Sequence, residues 1–199
     1  SGKKGSGKST FAYHLVNFFL SKHEELKYDL IENKINSENK SFKLLQNNSH
    51  PNFYLIDLLA EKKNIDVAQI REMISYTNKS TFNNQDRFIM IDNVEYLNKN
   101  SINALLKIIE EPNENIYFIL INNSEKNMLP TLKSRCITFK IHFSFDDTVK
   151  ICNQILNQNI LNELNHDLIN YYCTPGEIIK LVQFAEEKQI NLKDHDVSS

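Results

Sequence analysis

The chain has no run of apolar residues approaching the roughly 18 to 20 that a membrane helix needs, and its first residues lack a signal-peptide pattern. Both absences argue against a membrane partner. Cysteine is sparse. Cys136, Cys152 and Cys173 lie far apart with no C-x-x-C pair, so neither a disulfide framework nor a zinc site is suggested, and a reducing, cytoplasmic setting fits best. Charge of one sign is also missing. Lys and Arg number 23 against 25 Asp and Glu, a net charge of −2, which excludes a strongly basic surface for gripping nucleic acid. No internal repeat is present.

What remains is a 199-residue chain with 41 % hydrophobic and 24 % charged residues, enough for one α/β domain and a small appendage. Apolar spacing predicts a helix with Phe11, Leu15, Phe18 and Phe19 on one face. A polar, Asn-rich loop with at most one short helix runs from Ser37 to Ser49, and Phe53–Ile56 reads as a strand. Asp66 and Gln69 form a capping box ahead of a helix carrying Val67, Ile70 and Ile74. Arg87–Asp92 and Tyr117–Ile121 read as strands buried on both faces of a parallel sheet, and Ile137–Ile141 as a further strand. Between them Ile102, Leu105, Leu106 and Ile109 mark a helix closed by Glu111-Pro112.

Beyond Phe143 only helices are predicted. One carries Val149, Ile151, Cys152 and Ile155, and another Leu168, Ile169, Tyr171 and Tyr172. A third starts with Thr174 as cap, Pro175 at the first position and Glu177 at the third, followed by Ile178, Ile179, Leu181, Val182 and Phe184. Tyr171, Tyr172 and the phenylalanines of the first helix read as core. The expected architecture is α/β: one domain with helices flanking a parallel sheet (1–143), then a small all-helical lid (144–199).

The chemistry begins at Gly2-Lys3-Lys4-Gly5-Ser6-Gly7-Lys8-Ser9, which fits G-x-x-x-x-G-K-[ST]. Its glycines let successive backbone amides curl around phosphate oxygens, and the helix that follows adds its positive end. Lys8 would reach the β- and γ-phosphates of ATP, or the β-phosphate of ADP, the Ser9 hydroxyl would sit on Mg²⁺, and Thr10 closes the candidate set, which makes 1–143 a P-loop nucleotide domain of the α/β class. A chance Gly/Lys-rich surface loop is the plain alternative. Because such loops follow a central strand and only Ser1 precedes this one, the expectation is that the parent chain carries a further strand upstream. Asp92 ends a buried strand, where a carboxylate is costly without a partner; Mg²⁺ held with Ser9 would be that partner. Capping the next turn is the plainer reading for Asp92.

Asp92-Asn93-Val94-Glu95-Tyr96-Leu97, Ser101-Ile102-Asn103-Ala104-Leu105-Leu106-Lys107-Ile108-Ile109-Glu110-Glu111-Pro112, Phe118–Asn123 and Leu132-Lys133-Ser134-Arg135-Cys136 follow one another at set spacing. Together they resemble the AAA+ clamp-loader subunits of bacterial DNA polymerase III, from Gly2 to about Phe184. The resemblance implies that Asn123, or Asn122 one residue earlier, is a sensor-1 residue at the γ-phosphate. It also implies that Arg135 is an arginine finger acting in trans on a neighbouring subunit's nucleotide.

Two departures are informative. Asn93 stands where hydrolysing members carry a glutamate, and Glu95 lies on a turn expected to point elsewhere. Gly176, after Pro175, stands where they carry a sensor-2 arginine. Many relatives have three zinc cysteines at positions that here are Asn36, Asn39 and Phe42, so no zinc is expected and His50 is left a turn or packing role. These departures, with His50-Pro51-Asn52-Phe53 and Ile65–Glu72, imply the stator-like, delta-prime branch of the family. Such a subunit holds nucleotide, turns over little of it, and is no polymerase by itself. Its partners would be the gamma/tau and delta subunits and, through the assembly, the sliding clamp and primer-template DNA. A C-terminal collar is expected beyond Ser199. The competing readings are an active ATPase subunit (gamma/tau-like or replication-factor-C-like) and a freestanding P-loop kinase or NTPase.

Overall fold

The computed structural model describes residues 1–79, 85–123, 129–172 and 174–193. The chain divides into two compact units, Ser9–Thr138 on one hand and Ser1–Lys8 with Phe139–Ser199 on the other. Among the described residues no helix is long and apolar enough to cross a membrane.

The first unit is built on three parallel strands, β1 (Phe53–Ile56), β2 (Arg87–Ile91) and β3 (Ile116–Leu120), in the order β1-β2-β3. The register sets Ile56 beside Ile91 and Ile91 beside Leu120. All five residues of β2 are buried, as a middle strand covered on both faces requires. β3 corrects the expectation of full burial. Ile116 and Ile121 are buried, but Tyr117 is exposed and Phe118–Leu120 are half-buried, because β3 is an edge of this sheet. The run Ile137–Ile141 forms no strand. Its only ladder-like partner among the described residues is Ser1, which bonds Phe139 and Ile141, and one residue cannot sustain a strand. Phe139 is accordingly 71 % exposed.

Four helices pack around these strands: α1 (Lys8–Leu20), α2 (Lys40–Gln46), α3 (Val67–Thr77) and α4 (Lys99–Glu110). α1 turns a different face inward from the one its large residues suggest. Ala12 and Val16, four apart, are buried with Phe53, Phe88, Met90 and Ile121, while Phe11, Leu15 and Phe19 are exposed and Phe18 is half-buried. The smaller pair lets the helix backbone approach the sheet. α3 starts on the expected capping box, with Gln69 N–H donating to Asp66 at 3.1 Å and Asp66 N–H to Gln69 Oε1 at 3.2 Å. Its last turn is held by buried Arg87, whose guanidinium donates to the carbonyls of Tyr76 (2.8 Å) and Lys79 (3.1 Å). α4 is capped by Asn98 and ends at Glu110, before Glu111-Pro112, as expected. A short α5 (Pro130–Lys133) follows β3.

The second unit holds α6 (Phe145–Leu156), α7 (Ile160–Glu163), α8 (His166–Tyr172) and α9 (Pro175–Lys188). Val149, Cys152, Ile160, Leu164, Ile169, Ile178 and Val182 form its core. Ile155, Tyr171 and Phe184, expected inside, are exposed; the side chain of Tyr172, and Cys173, lie outside the described residues. Cys152 is fully buried, and burial pushes its thiol up to about 11.

Candidate functional site

The phosphate-loop sequence lies in the second unit. Gly5 (φ +83°) and Gly7 (φ +67°) take the left-handed conformations that the motif needs and that a side chain would strain. Gly2 passes so close to the Ile141 carbonyl that a Cβ would lie 2.6 Å from it. Lys3 O accepts from the Ser6 hydroxyl at 2.8 Å and from the Lys8 ammonium, which also reaches Ser6 Oγ at 3.1 Å. Ser6 and Lys8 are buried; Thr10, in the first unit, is exposed. Beside the loop is a cavity of about 290 Å³ lined by Lys3, Ser6, Ile141, Phe143, Ile169 and Asn170, among others.

The same loop meets the start of α9. Thr174 occupies the cap position and its carbonyl accepts the amides of Glu177 (3.2 Å) and Ile178 (3.1 Å), but its side chain caps no backbone amide; its hydroxyl lies 2.9 Å from Lys4 O and 2.7 Å from Glu177 Oε2. Gly176 N–H donates to Gly5 O at 3.0 Å. Thr174 thus stands at the cap of α9 with Pro175 behind it, as the sequence predicts, but without the side-chain bond to a backbone amide that such a cap usually adds.

The carboxylate cluster lies in the first unit. Parallel pairing places Asp57 and Asp92 just past the adjoining ends of β1 and β2. Ser9 Oγ donates to Asp92 Oδ2. Asp92 Oδ1 accepts from Asn93 N–H (2.8 Å) and from Asn123 Nδ2 (2.8 Å). The Asn93 carboxamide donates to Asp57 (2.7 Å) and accepts from Asn123 (3.0 Å), on a left-handed backbone (φ 58°) that asparagine tolerates. Glu95 is not turned away. Its Oε2 accepts the Asn123 backbone N–H at 3.1 Å. Asn122, by contrast, is buried at the end of the strand. Ser9, Asp92 and Asn123 therefore come together, joined by Asp57, Asn93 and Glu95.

Asp57 is absent from the sequence-based site although a signal for it exists: Phe53-Tyr54-Leu55-Ile56-Asp57 repeats the apolar-run-then-Asp pattern of Arg87–Asp92. Arg135, half-exposed beyond α5, donates to Thr131 O at 2.8 Å and is ion-paired with Glu110. At the positions where the resemblance places zinc cysteines, Asn36 accepts Glu38 N–H (3.0 Å), Asn39 caps α2 and pairs with Asn17, and Phe42 lines a small cavity. His50 accepts Asn52 N–H at Nδ1 (3.1 Å) and faces Ser41 Oγ at Nε2 (3.3 Å). Among the described residues, no group of three or more His, Cys, Asp and Glu is arranged to hold a metal by itself. Ser9 and Asp92 still present two adjacent hard oxygens, a set that fits a magnesium ion whose other ligands are phosphate and water.

The family described as DNA polymerase III, delta subunit, matches residues 1–144. DNA polymerase III subunit delta' of Pseudomonas aeruginosa is 31 % identical over 100 residues, covering 50 % of this chain and 30 % of the relative. The delta' subunit of Bacillus subtilis is 27 % identical over 202 residues, covering 98 % of this chain and 57 % of that protein. DNA polymerase III subunit gamma of Buchnera aphidicola subsp. Schizaphis graminum is 32 % identical over 151 residues, 71 % of this chain and 40 % of the relative. The chain thus spans between 30 % and 57 % of the length of these relatives. The solved structure of a variant of Thermotoga maritima RuvB matches with a TM-score of 0.51 at 12 % identity, covering 97 % of this chain and 56 % of that one. At that identity it speaks to the fold alone, which is an α/β fold of the AAA+ kind.

Proposed function

Because the chain belongs to the family of the DNA polymerase III delta subunit, we propose that it is a delta-prime-like, stator-type clamp-loader subunit that binds ATP or ADP with Mg²⁺, hydrolyses little of it, and lends Arg135 to a neighbouring ATPase subunit. The observation that carries this reading is the carboxamide of Asn93. By the resemblance it holds the position of the water-activating glutamate of hydrolysing members, and both its polar ends are engaged, by Asp57 and Asn123. An amide cannot take a proton from water.

The other roles follow from chemistry. Gly5 and Gly7 shape the loop, and Lys8, which bonds Lys3 O and Ser6 Oγ, would turn to the β- and γ-phosphates of ATP. The cavity of about 290 Å³ is near the small end of ligand pockets and suits the base. Ser9 and Asp92 would hold Mg²⁺, which supplies charge neutralisation on the phosphate oxygens. Asn123 would point its amide at the γ-phosphate. Arg135 rests on Glu110 in a solvent-exposed pair worth only about 0–1 kcal/mol, which a partner's phosphates can outcompete. A guanidinium delivered in trans contributes roughly 10³ to 10⁵ in rate. Gamma/tau and delta subunits, a sliding clamp and primer-template DNA are the proposed company.

Arg135→Ala tests the reading. It should leave this chain's own nucleotide affinity unchanged and depress the DNA-stimulated ATPase of the reconstituted assembly; an unaltered assembly rate removes Arg135 from the mechanism. A second reading, an active ATPase subunit of the gamma kind, has Glu95 in its favour, since its carboxylate stands against Asn123. Whether the isolated protein turns over MgATP separates the two.

A further inference from the structure

The phosphate loop has three successive carbonyls tied down. Lys3 O accepts from Ser6 Oγ and Lys8, Lys4 O from the Thr174 hydroxyl, and Gly5 O from the Gly176 amide. In a planar trans peptide the N–H points opposite to the C=O. Anchoring the carbonyls of Lys4 and Gly5 on the start of α9 therefore turns the amides of Gly5 and Ser6 away from α9, as an anion cradle on that side requires, while the Lys3 carbonyl is held within the loop itself. Two of the three carbonyls are held from the start of α9, about 170 residues away in the chain. The approach is close. A Cβ on Gly176 would lie 2.7 Å from Gly5 Cα, and one on Gly5 would lie 2.6 Å from Thr174 Oγ1. Thr174 itself is buried, and its one hydroxyl proton is shared between Lys4 O and Glu177 Oε2 of its own helix.

We infer that Thr174 and Gly176 form a latch that holds the outer arch of the phosphate loop in its anion-binding shape, making Thr174 a positioning residue for nucleotide. This rests on the proposal that the loop binds nucleotide, and it ties that affinity to the placement of α9. Whatever moves the start of α9 changes how well the amides are preset. Gly176 supplies an independent reporter, because it is the second residue of α9, and the amides of a first helical turn have no partner within their helix.

The experiment uses the intact chain, with Thr174→Val as the near-isosteric variant, Thr174→Ser as the conservative one and Gly176→Ala as a steric wedge. Amide exchange is followed at Gly176, and MgATP affinity by calorimetry. The Gly176 amide is protected in the parent chain, and Thr174→Val lowers that protection. MgATP binding weakens about two- to tenfold in Thr174→Val, the value of one hydrogen bond, and stays within about twofold in Thr174→Ser. Gly176→Ala weakens it while keeping a cooperative melt. An unprotected Gly176 amide in the parent chain overturns the latch, as does undiminished MgATP affinity in Thr174→Val. If Thr174→Val fails to fold, Gly176→Ala decides on the same affinity criterion. A protected Gly176 amide in a parent chain that binds no MgATP upholds the latch and defeats nucleotide binding instead.

Discussion

Asn123 Nδ2 lies 2.8 Å from Asp92 Oδ1 and 3.0 Å from Asn93 Oδ1, so one amide group joins the carboxylate at the end of β2 to the residue that follows it. The pattern continues outward, because Asn93 Nδ2 donates to Asp57 at 2.7 Å. Two carboxamides lie between two carboxylates along this line, and each carboxylate is met by a donor. That pairing sets what a substitution can do.

Asn93→Glu should not create an ATPase. It replaces a donor with a second negative charge beside Asp57, and two such charges about 4 Å apart repel by about 4 kcal/mol at an effective dielectric of 20. It also places a longer side chain on a left-handed backbone, at a further cost of about 1 kcal/mol. The expected outcome is a lower melting temperature and ATP turnover at background. A tenfold or greater gain in turnover would contradict the role given to Asn93.

Acid should loosen the segment around His50. Burial, the largest cause, holds this imidazole below its usual 6.5, with Lys40 acting in the same direction and Glu24 against it. Because the folded-state value is depressed, the unfolded chain binds the extra proton first. The contribution to stability is therefore complete above pH 6.5 and is lost as pH falls toward the folded value. Protonation would also abolish the acceptor that Nδ1 offers Asn52 N–H. Denaturant midpoints measured between pH 7.5 and 5 should fall with acidity, with a shallower slope in His50→Gln. Equal slopes would remove His50 as the cause.

Arg87→Met should destabilise the first unit by about 1–3 kcal/mol, because it strips donors from part-buried carbonyls at the end of α3. The Tyr76 ring, 4.5 Å from the guanidinium carbon, loses its cation as well. A urea midpoint shift with an unchanged slope is the expected signature. A shift below about 0.5 kcal/mol would mean that water takes over those carbonyls.

Much of the architecture is legible in the sequence because β2, α3 and α4 each state their role locally. β2 is an unbroken apolar run, α3 opens on a capping box, and α4 stops at a proline. The failures occur where burial depends on neighbours that periodicity cannot reveal. Phe11, Leu15 and Phe19 outweigh Ala12 and Val16 in hydrophobicity, yet close approach to the sheet favours the smaller pair. Ile137–Ile141 has the composition of a strand and lacks a sustained partner ladder. At the candidate site Ser9 and Asp92 follow from the phosphate-loop motif and the strand end, Asn123 follows from the family resemblance, and the three do come together. Asp57 requires knowing that β1 lies beside β2, and the bonds of Thr174 and Gly176 to the phosphate loop join segments about 170 residues apart.

Binding and turnover of MgATP, measured on one preparation of the isolated protein, probe the role of Asn93 without any partner present. A subunit that holds nucleotide without consuming it should show saturable binding that is lost in Lys8→Ala, together with hydrolysis indistinguishable from background. Steady turnover by the protein alone, abolished by Lys8→Ala, would overturn the stator reading and establish the active ATPase in its place.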